Sequence, residues 1–339
     1  MTKRVIIRAL QLFFLLVLIL ASSLTFYVWR TWDRVYDGYP VPDVRASTDP
    51  AVIARGEYLV YGPAHCVECH AGSFVEFQKL AAGEGVPLRG GTKFEAPPLG
   101  TIYSQNLTPD AETGIGRYSD GQIARMMRYN VRPNGRASVS PMMPFHNMSD
   151  EDMLAIISFL RSRPPVRNPV PANEWTVPGK IIRSISSSFK PRDVALVHPP
   201  RVAPEEKPTK ERGEYLSRYV ANCVGCHTPL HDTTFEPTGP DFSGGEEFEP
   251  APLPGVDMQT WFRTPNITPQ RGSALMKFPD RATFVARFKV GGRQHAGTPM
   301  PWESYALMSP EDVGAIYEFL RSLPPADGMS GEVTFRKSD

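Results

Sequence analysis

The chain has 339 residues, which is long enough for two compact domains. Its formal net charge of +1 leaves no basic footprint for nucleic acid, and a hydrophobic fraction of 41% supplies ordinary cores. The 35 prolines against 27 glycines predict long loops pinned by proline rather than extensive sheet.

Residues 9–29 contain no charged side chain. As a helix they would span about 32 Å, enough for the hydrocarbon core of a bilayer. Lys3, Arg4 and Arg8 precede the segment, whereas Arg30, Asp33, Arg34 and Asp37 follow it with mixed sign. This asymmetry predicts a cytoplasmic tail over 1–8 and a single inner-membrane pass over 9–29, with contact to lipid. The rest of the chain is then periplasmic or otherwise extracytoplasmic, with Trp29 and Trp32 at the outer interface. A cleaved signal with Ala21-Ser22-Ser23 as its small-residue site is the competing reading. The apolar run resumes at Leu24-Thr25-Phe26-Tyr27-Val28-Trp29, which favours the anchor. Residues 30–48 read as a linker.

Downstream, one pattern occurs twice. Arg55-Gly56-Glu57-Tyr58-Leu59 recurs as Arg212-Gly213-Glu214-Tyr215-Leu216, CVECH at 66–70 as CVGCH at 223–227, and NLTP at 106–109 as NITP at 266–269. MSDEDMLAIISFLRSRPP at 148–165 recurs as MSPEDVGAIYEFLRSLPP at 308–325. The predicted units are 49–165 and 208–325, joined by a Pro-rich connector over 166–207 and followed by a tail over 326–339. Each unit opens with a short helix, the first capped by Asp49 with Pro50 behind it. Each closes with a clearer helix. Ser149 and Ser309 are its N-caps, and Asp152 and Asp312 take the place of the usual Glu in a capping box. Met148 and Met308 are placed to act as hydrophobic staples. Apolar residues at helical spacing follow, and the RPP and LPP runs end the helices. No sustained two-residue alternation is visible, so the fold class is mainly α with long loops. A helix near 179–188 is expected inside the connector.

All four cysteines lie in these units: Cys66 with Cys69 before His70, and Cys223 with Cys226 before His227. Cys-x-x-Cys-His is the attachment pattern of c-type haem. Two thiols add across two vinyl groups of the porphyrin, and the adjacent histidine falls beneath the iron. A disulfide in each pair would give no role to the histidines. A zinc site shared between the pairs would need them 15–20 residues apart, and a thioredoxin-like site would need a βαβ context. Two haem c groups are therefore expected, bound through Cys66, Cys69 and His70 and through Cys223, Cys226 and His227.

On these motifs the chain resembles the class I cytochrome c superfamily in its diheme, membrane-anchored form. The likeness rests on RGEYL…CxxCH, the N-[LI]-T-P loop, a Met-Pro loop and the closing helix, and it covers most of residues 51–325. It implies two tandem class I cytochrome c domains. Similar domains occur in the cytochrome subunits of membrane-bound alcohol and aldehyde dehydrogenases, which typically carry three haem sites where this chain has two. The resemblance further implies close packing of the first and last helices of each unit at Gly56 and Gly213, against Phe159 and Phe319. In this superfamily methionine is the usual sixth ligand. Met143 and Met300 each stand 77 residues after the first cysteine of their motif and each precedes proline. Met142 is the runner-up, but Pro299 occupies its equivalent position. His146 and His295 have no histidine counterpart in the other unit, so neither is expected on iron.

Two further readings concern loops and charge. Asn106 and Asn266 match a glycosylation pattern, yet their placement favours a turn role. From Arg161 to Arg201 there are eight Lys or Arg and two Asp or Glu, whereas Asp232 to Asp257 holds seven acids and no Lys or Arg. The first stretch is expected to face anionic lipid or a membrane partner, the second a cationic acceptor. Iron with both axial positions filled exchanges electrons rather than binding substrate. The chain therefore reads as an electron carrier, not an enzyme. It would relay single electrons from a membrane-associated donor to an extracytoplasmic acceptor, its redox partners being a dehydrogenase, a quinol-linked complex or a soluble cytochrome. The alternatives are an electron-transfer subunit of a membrane-bound dehydrogenase, or a haem enzyme with one open iron site.

Overall fold

The chain opens with α1 (Lys3–Thr31), an apolar helix of which no residue is buried. It is long and apolar enough to cross a membrane and is a candidate anchor or signal sequence. The computed structural model describes residues 3–139, 143–232 and 234–337. Residues 30–48 do not swing free after α1. Val35 forms a β-bridge with Arg136, Tyr36 donates its amide to Gly135 O at 2.8 Å, and Asp33 pairs with Arg136 at 2.7 Å. The Ala46 amide reaches Asp120 and the Ser47 amide reaches the Ser158 hydroxyl. The linker is thus strapped along the N-terminal half.

That half runs α2 (Pro50–Tyr61), α3 (Cys66–His70), α4 (Phe74–Gln78), β1 (Lys93–Ala96), β2 (Gly100–Tyr103), α5 (Asp120–Tyr129) and α6 (Asp150–Ser162). The connector then supplies β3 (Glu174–Trp175) and α7 (Val177–Ile185), the latter close to the predicted 179–188. The C-terminal half runs α8 (Lys210–Tyr215), α9 (Cys223–His227), β4 (Glu247–Phe248), β5 (Thr260–Arg263), α10 (Arg281–Val290), α11 (Trp302–Tyr305), α12 (Pro310–Ser322) and β6 (Thr334–Arg336). A π-helical turn, Leu216–Val220, extends α8.

In each half the first helix crosses the last so closely that no side chain fits between them. A Cβ on Gly56 would stand 2.0 Å from the Ala155 carbonyl oxygen and 2.7 Å from Phe159 Cβ. On Gly213 the figures are 1.9 Å to Ala315 O and 2.6 Å to Phe319 Cβ. Asp49 caps α2 by accepting from the Ala51 amide, and Ser149 and Ser309 accept from the amides of Asp152 and Asp312. Met148, Met153, Met308 and Val313 are all buried in the one core that runs through both halves.

The halves also contain sheet that the sequence does not announce. β1 pairs antiparallel with β2, setting Phe94 opposite Ile102, and β2 pairs with β3, setting Gly100 opposite Trp175. In the C-terminal half β4, β5 and β6 repeat this order, with Phe248 opposite Phe262 and Trp261 opposite Phe335. Strands of two to four residues are too short to show an alternation. The third strand of each sheet comes from the connector or the tail, far from its partners in sequence.

Candidate functional site

Each Cys-x-x-Cys-His stretch forms a helix of little more than one turn, entered through a residue in the left-handed region. His65 has φ 36° before α3 and Asn222 has φ 53° before α9. A single turn carries both cysteines and the histidine on one short arc.

The histidines are held in the same way in both halves. The Nδ1 of His70 lies 2.6 Å from the Gln105 carbonyl and that of His227 lies 2.8 Å from the Pro265 carbonyl. A carbonyl can only accept, so Nδ1 carries the proton and donates it. Nε2 is left with its lone pair, the arrangement a metal-binding imidazole needs. Burial lowers His70 to about 4 and also depresses His227, so both stay neutral. The accepting carbonyls sit just before the Asn-x-Thr loops. Asn106 Oδ1 accepts from the Thr108 amide and hydroxyl, and Asn106 Nδ2 donates to Val166 O. Asn266 makes the same bonds to Thr268 and to Ala326 O. Both asparagines are 2% exposed, so these amides build the loop and are not presented for glycosylation.

One glycine clamps each loop from the other side. Gly90 donates to His70 O at 2.8 Å and Gly244 to His227 O at 2.7 Å. Both have positive φ, and a Cβ on either would stand 2.4 Å from the backbone of the Asn loop.

The four cysteines are unpaired. Burial pushes Cys66 and Cys226 up to about 12 and Cys223 to about 11. Cys69 rises through burial first and then through the neighbouring Glu68, Cys66 and Cys226. Three of these residues are half-buried and Cys226 is exposed by surface area. The protein nonetheless surrounds all four closely enough to disfavour a thiolate. A haem c group fits this donor set: two protonated thiols beside a neutral imidazole whose Nε2 is free, twice over.

The two motifs lie near each other across the boundary between the halves, close enough that Cys226 helps to raise Cys69 and Glu68 helps to raise Cys226. Glu68 is held up to about 8 by burial, opposed by the Arg293 cation. Tyr305 spans the two motifs. Its ring packs edge-on against His65 at 5.5 Å, and its hydroxyl donates to Ala221 O, just before Asn222, at 2.7 Å.

A reciprocal hydrogen-bonded clamp joins the halves. The Tyr58 hydroxyl donates to Asp312 at 2.6 Å and accepts from the Ser309 amide at 3.1 Å. The Tyr215 hydroxyl donates to Asp152 at 2.7 Å and accepts from the Ser149 amide at 3.1 Å. Each tyrosine thus caps the last helix of the opposite half. The same aspartates hold Arg55 and Arg212, the latter fully buried, through two bonds each. This revises the expected capping box. Asp is one methylene shorter than Glu, and the tyrosine hydroxyl takes the N-cap amide in its place.

Met143 and Met300 are half-buried and pack against the shared core, as do Cys66 and Cys223. Met142 lies outside the described residues. His146 packs edge-on against Tyr219 of the other half at 5.4 Å, and His295 against Phe262 at 6.2 Å. The sequence reading missed Tyr58, Tyr215 and Tyr305. For the first two a signal existed, because each is the tyrosine of an RGEYL copy.

The chain is similar to cytochrome subunits of several dehydrogenases. It is 29% identical to the fructose dehydrogenase cytochrome subunit of Gluconobacter japonicus over 307 residues, covering 86% of this chain and 57% of the relative. It is 30% identical to the cytochrome c subunit of alcohol dehydrogenase (quinone) of Komagataeibacter europaeus over 310 residues, 86% and 60% of the two chains. It is 29% identical to the gluconate 2-dehydrogenase cytochrome c subunit of Pantoea cypripedii over 311 residues, 86% and 64%. The chain therefore spans less than two thirds of the length of these relatives. No protein-family model matches it. The similarity supports a c-type cytochrome, and the relatives are dehydrogenase subunits rather than the free carrier that the sequence first suggested.

Proposed function

We propose that this chain is the electron-transfer subunit of a membrane-bound dehydrogenase, carrying two haem c groups in two class I cytochrome c domains and tethered by α1. The observation that carries the reading is the matched pair of imidazoles, each with Nδ1 donating to a backbone carbonyl and Nε2 free beside two thiols. Bound haem supplies reversible one-electron chemistry at iron. The protein's part is to orient and to exclude. Cys66, Cys69, Cys223 and Cys226 would hold the groups covalently, and His70 and His227 would each offer a nitrogen to iron. Met143 and Met300, in proline-stiffened loops, are the proposed sixth ligands.

The clamp at Tyr58 and Tyr215 holds the halves in one arrangement, with the attachment motifs side by side. That supports electron passage between the two groups within one chain. The N-terminal charge asymmetry supports a cytoplasmic N-terminus and extracytoplasmic domains. Steering of a cationic acceptor by the acidic stretch has less support. Asp241, Glu247 and Asp257 are paired with Arg218, Arg263 and Arg336, so three of the seven acids are already matched.

The test is purification of the tagged full-length chain from membranes in mild detergent. A dehydrogenase catalytic subunit should co-purify, and its substrate should reduce the haem absorption bands. A chain that elutes alone, and whose bands respond only to a small soluble cytochrome, would return the free-carrier reading.

A further inference from the structure

The connector helix α7 is apolar on two sides. Thr176 caps it, accepting from the Gly179 amide at 3.0 Å, and Pro178 stands in its first turn. One side is packed on the N-terminal half. Ile182 is buried with Leu99, Ile102, Val139 and Phe189, and a Cβ on Gly179 would stand 2.1 Å from Leu99 O. The other side carries Val177, Ile181 and Ile185, spaced by four residues and therefore on one face. Val177 is 71% exposed and Ile185 55%. Isolated apolar residues on a surface need no explanation, but a stripe along a short helix does.

The position of α7 supplies one. It packs against the end of α1. The Tyr27 hydroxyl donates to Ser184 O at 3.2 Å, Arg183 Nε donates to Trp32 O at 3.1 Å, and the Lys180 ammonium lies 4.9 Å from the centre of the Trp32 ring. Tyr27 lies inside the uncharged stretch 9–29, whose side chains are exposed along its length. The helix that bears the open stripe is therefore held, by its neighbouring face, against the last turns of a candidate membrane-spanning helix. Charge agrees: from Val177 to Arg192 there is no Asp or Glu, and although Arg183 is buried against Trp175, Lys180 is half-buried and Lys190 exposed.

We propose that α7 is an interfacial helix, with Val177, Ile181 and Ile185 set into the outer boundary of the bilayer and Lys180 and Lys190 among anionic headgroups. Such helices lie in the membrane plane with the apolar face about 5–10 Å into the headgroup and acyl boundary. Because α7 also supplies the buried Ile182 and follows directly on β3, this seat fixes the tilt and height of the N-terminal half. The half cannot then swing on its linker, and one face stays presented to a membrane-bound partner. The proposal rests on the reading of α1 as a retained anchor.

The test uses the full-length holoprotein in nanodiscs containing anionic phospholipid. Spin labels are placed one at a time through Val177→Cys and Ile185→Cys. Phe14→Cys in α1 serves as anchor control and Val290→Cys, 76% exposed on α10, as solvent control. Power saturation compares access by oxygen with access by a water-soluble nickel chelate. Labels at 177 and 185 should show an oxygen-to-nickel ratio several-fold above that at 290, between the values at 290 and 14. A ratio at 177 and 185 equal to that at 290, with 14 in lipid, overturns the seat and leaves the anchor intact. An aqueous ratio at 14 overturns the anchor reading and the proposal with it. Labels at 177 and 185 shielded from both reagents would mean a protein contact, and that also overturns the lipid seat.

Discussion

The sixth ligands and His146 are questions of single side chains. Replacing Met143 or Met300 by Ala should each remove part of the red-edge absorption that a thioether gives to oxidised haem iron, and should lower the potential of that haem. An unchanged oxidised spectrum in both variants would remove these methionines from the iron. His146 is held down to about 4, first by burial and then by Arg192. Its folded value lies below the unfolded value of about 6.5, so the unfolded chain binds the extra proton between these two values. The stability that depends on neutral His146 is present above pH 6.5 and is lost as pH falls toward 4. His146→Phe keeps the ring and removes the proton. Urea midpoints measured from pH 7 to pH 4 should fall less steeply in the variant by one proton's share. An identical slope would mean that His146 does not titrate in this window.

The two helix crossings and the small sheets divide what was legible in the sequence from what was not. Helices with caps, helical spacing and terminal prolines were readable because each signal is local: Asp49-Pro50 for α2, Ser149 for α6, and Ser309-Pro310 for α12. The attachment residues were readable because their chemistry fixes their spacing. The strands were not, since Lys93–Ala96 and Glu247–Phe248 are too short for a period to show, and their third partners, Trp175 and Phe335, lie beyond the closing helices. The second role of Asp152 and Asp312 was also hidden. A capping position looks the same in sequence whether its carboxylate turns back to its own helix or meets a tyrosine from the other half. The crossings themselves are open to test. Gly56→Ala would place a methyl 2.0 Å from the Ala155 oxygen, and overpacking of this kind costs about 1–3 kcal/mol or more. The thermal midpoint should drop and Gly213→Ala should behave alike. A neutral effect at either site would mean that α2 and α6, or α8 and α12, do not cross as described.

Over the whole molecule, one core runs through both halves and two tyrosine–aspartate pairs lock them reciprocally. Removing the hydroxyl in Tyr58→Phe strands the Ser309 amide and takes one bond from Asp312, at a cost of about 1–3 kcal/mol. Tyr215→Phe should match it on Ser149 and Asp152. Each variant should lower the urea midpoint of the entire chain, and the double variant should unfold in a broadened or split transition as the halves uncouple. Unchanged midpoints would show that the clamp contributes nothing. Asp312→Ala should be more severe, because it takes from the fully buried Arg212 its two-bond partner and leaves it only the more distant, exposed Glu206 at 3.7 Å, a loss of about 3–5 kcal/mol.

Everything above turns on whether Cys66-x-x-Cys69-His70 and Cys223-x-x-Cys226-His227 each hold a covalent haem. The most direct measurement is the c-type haem content per chain, from the alkaline pyridine spectrum and the intact mass of the mature membrane protein. Two haem groups per polypeptide are expected, and one after Cys66→Ser with Cys69→Ser. A mature chain with no covalent haem, its four cysteines free or in disulfides, would contradict it.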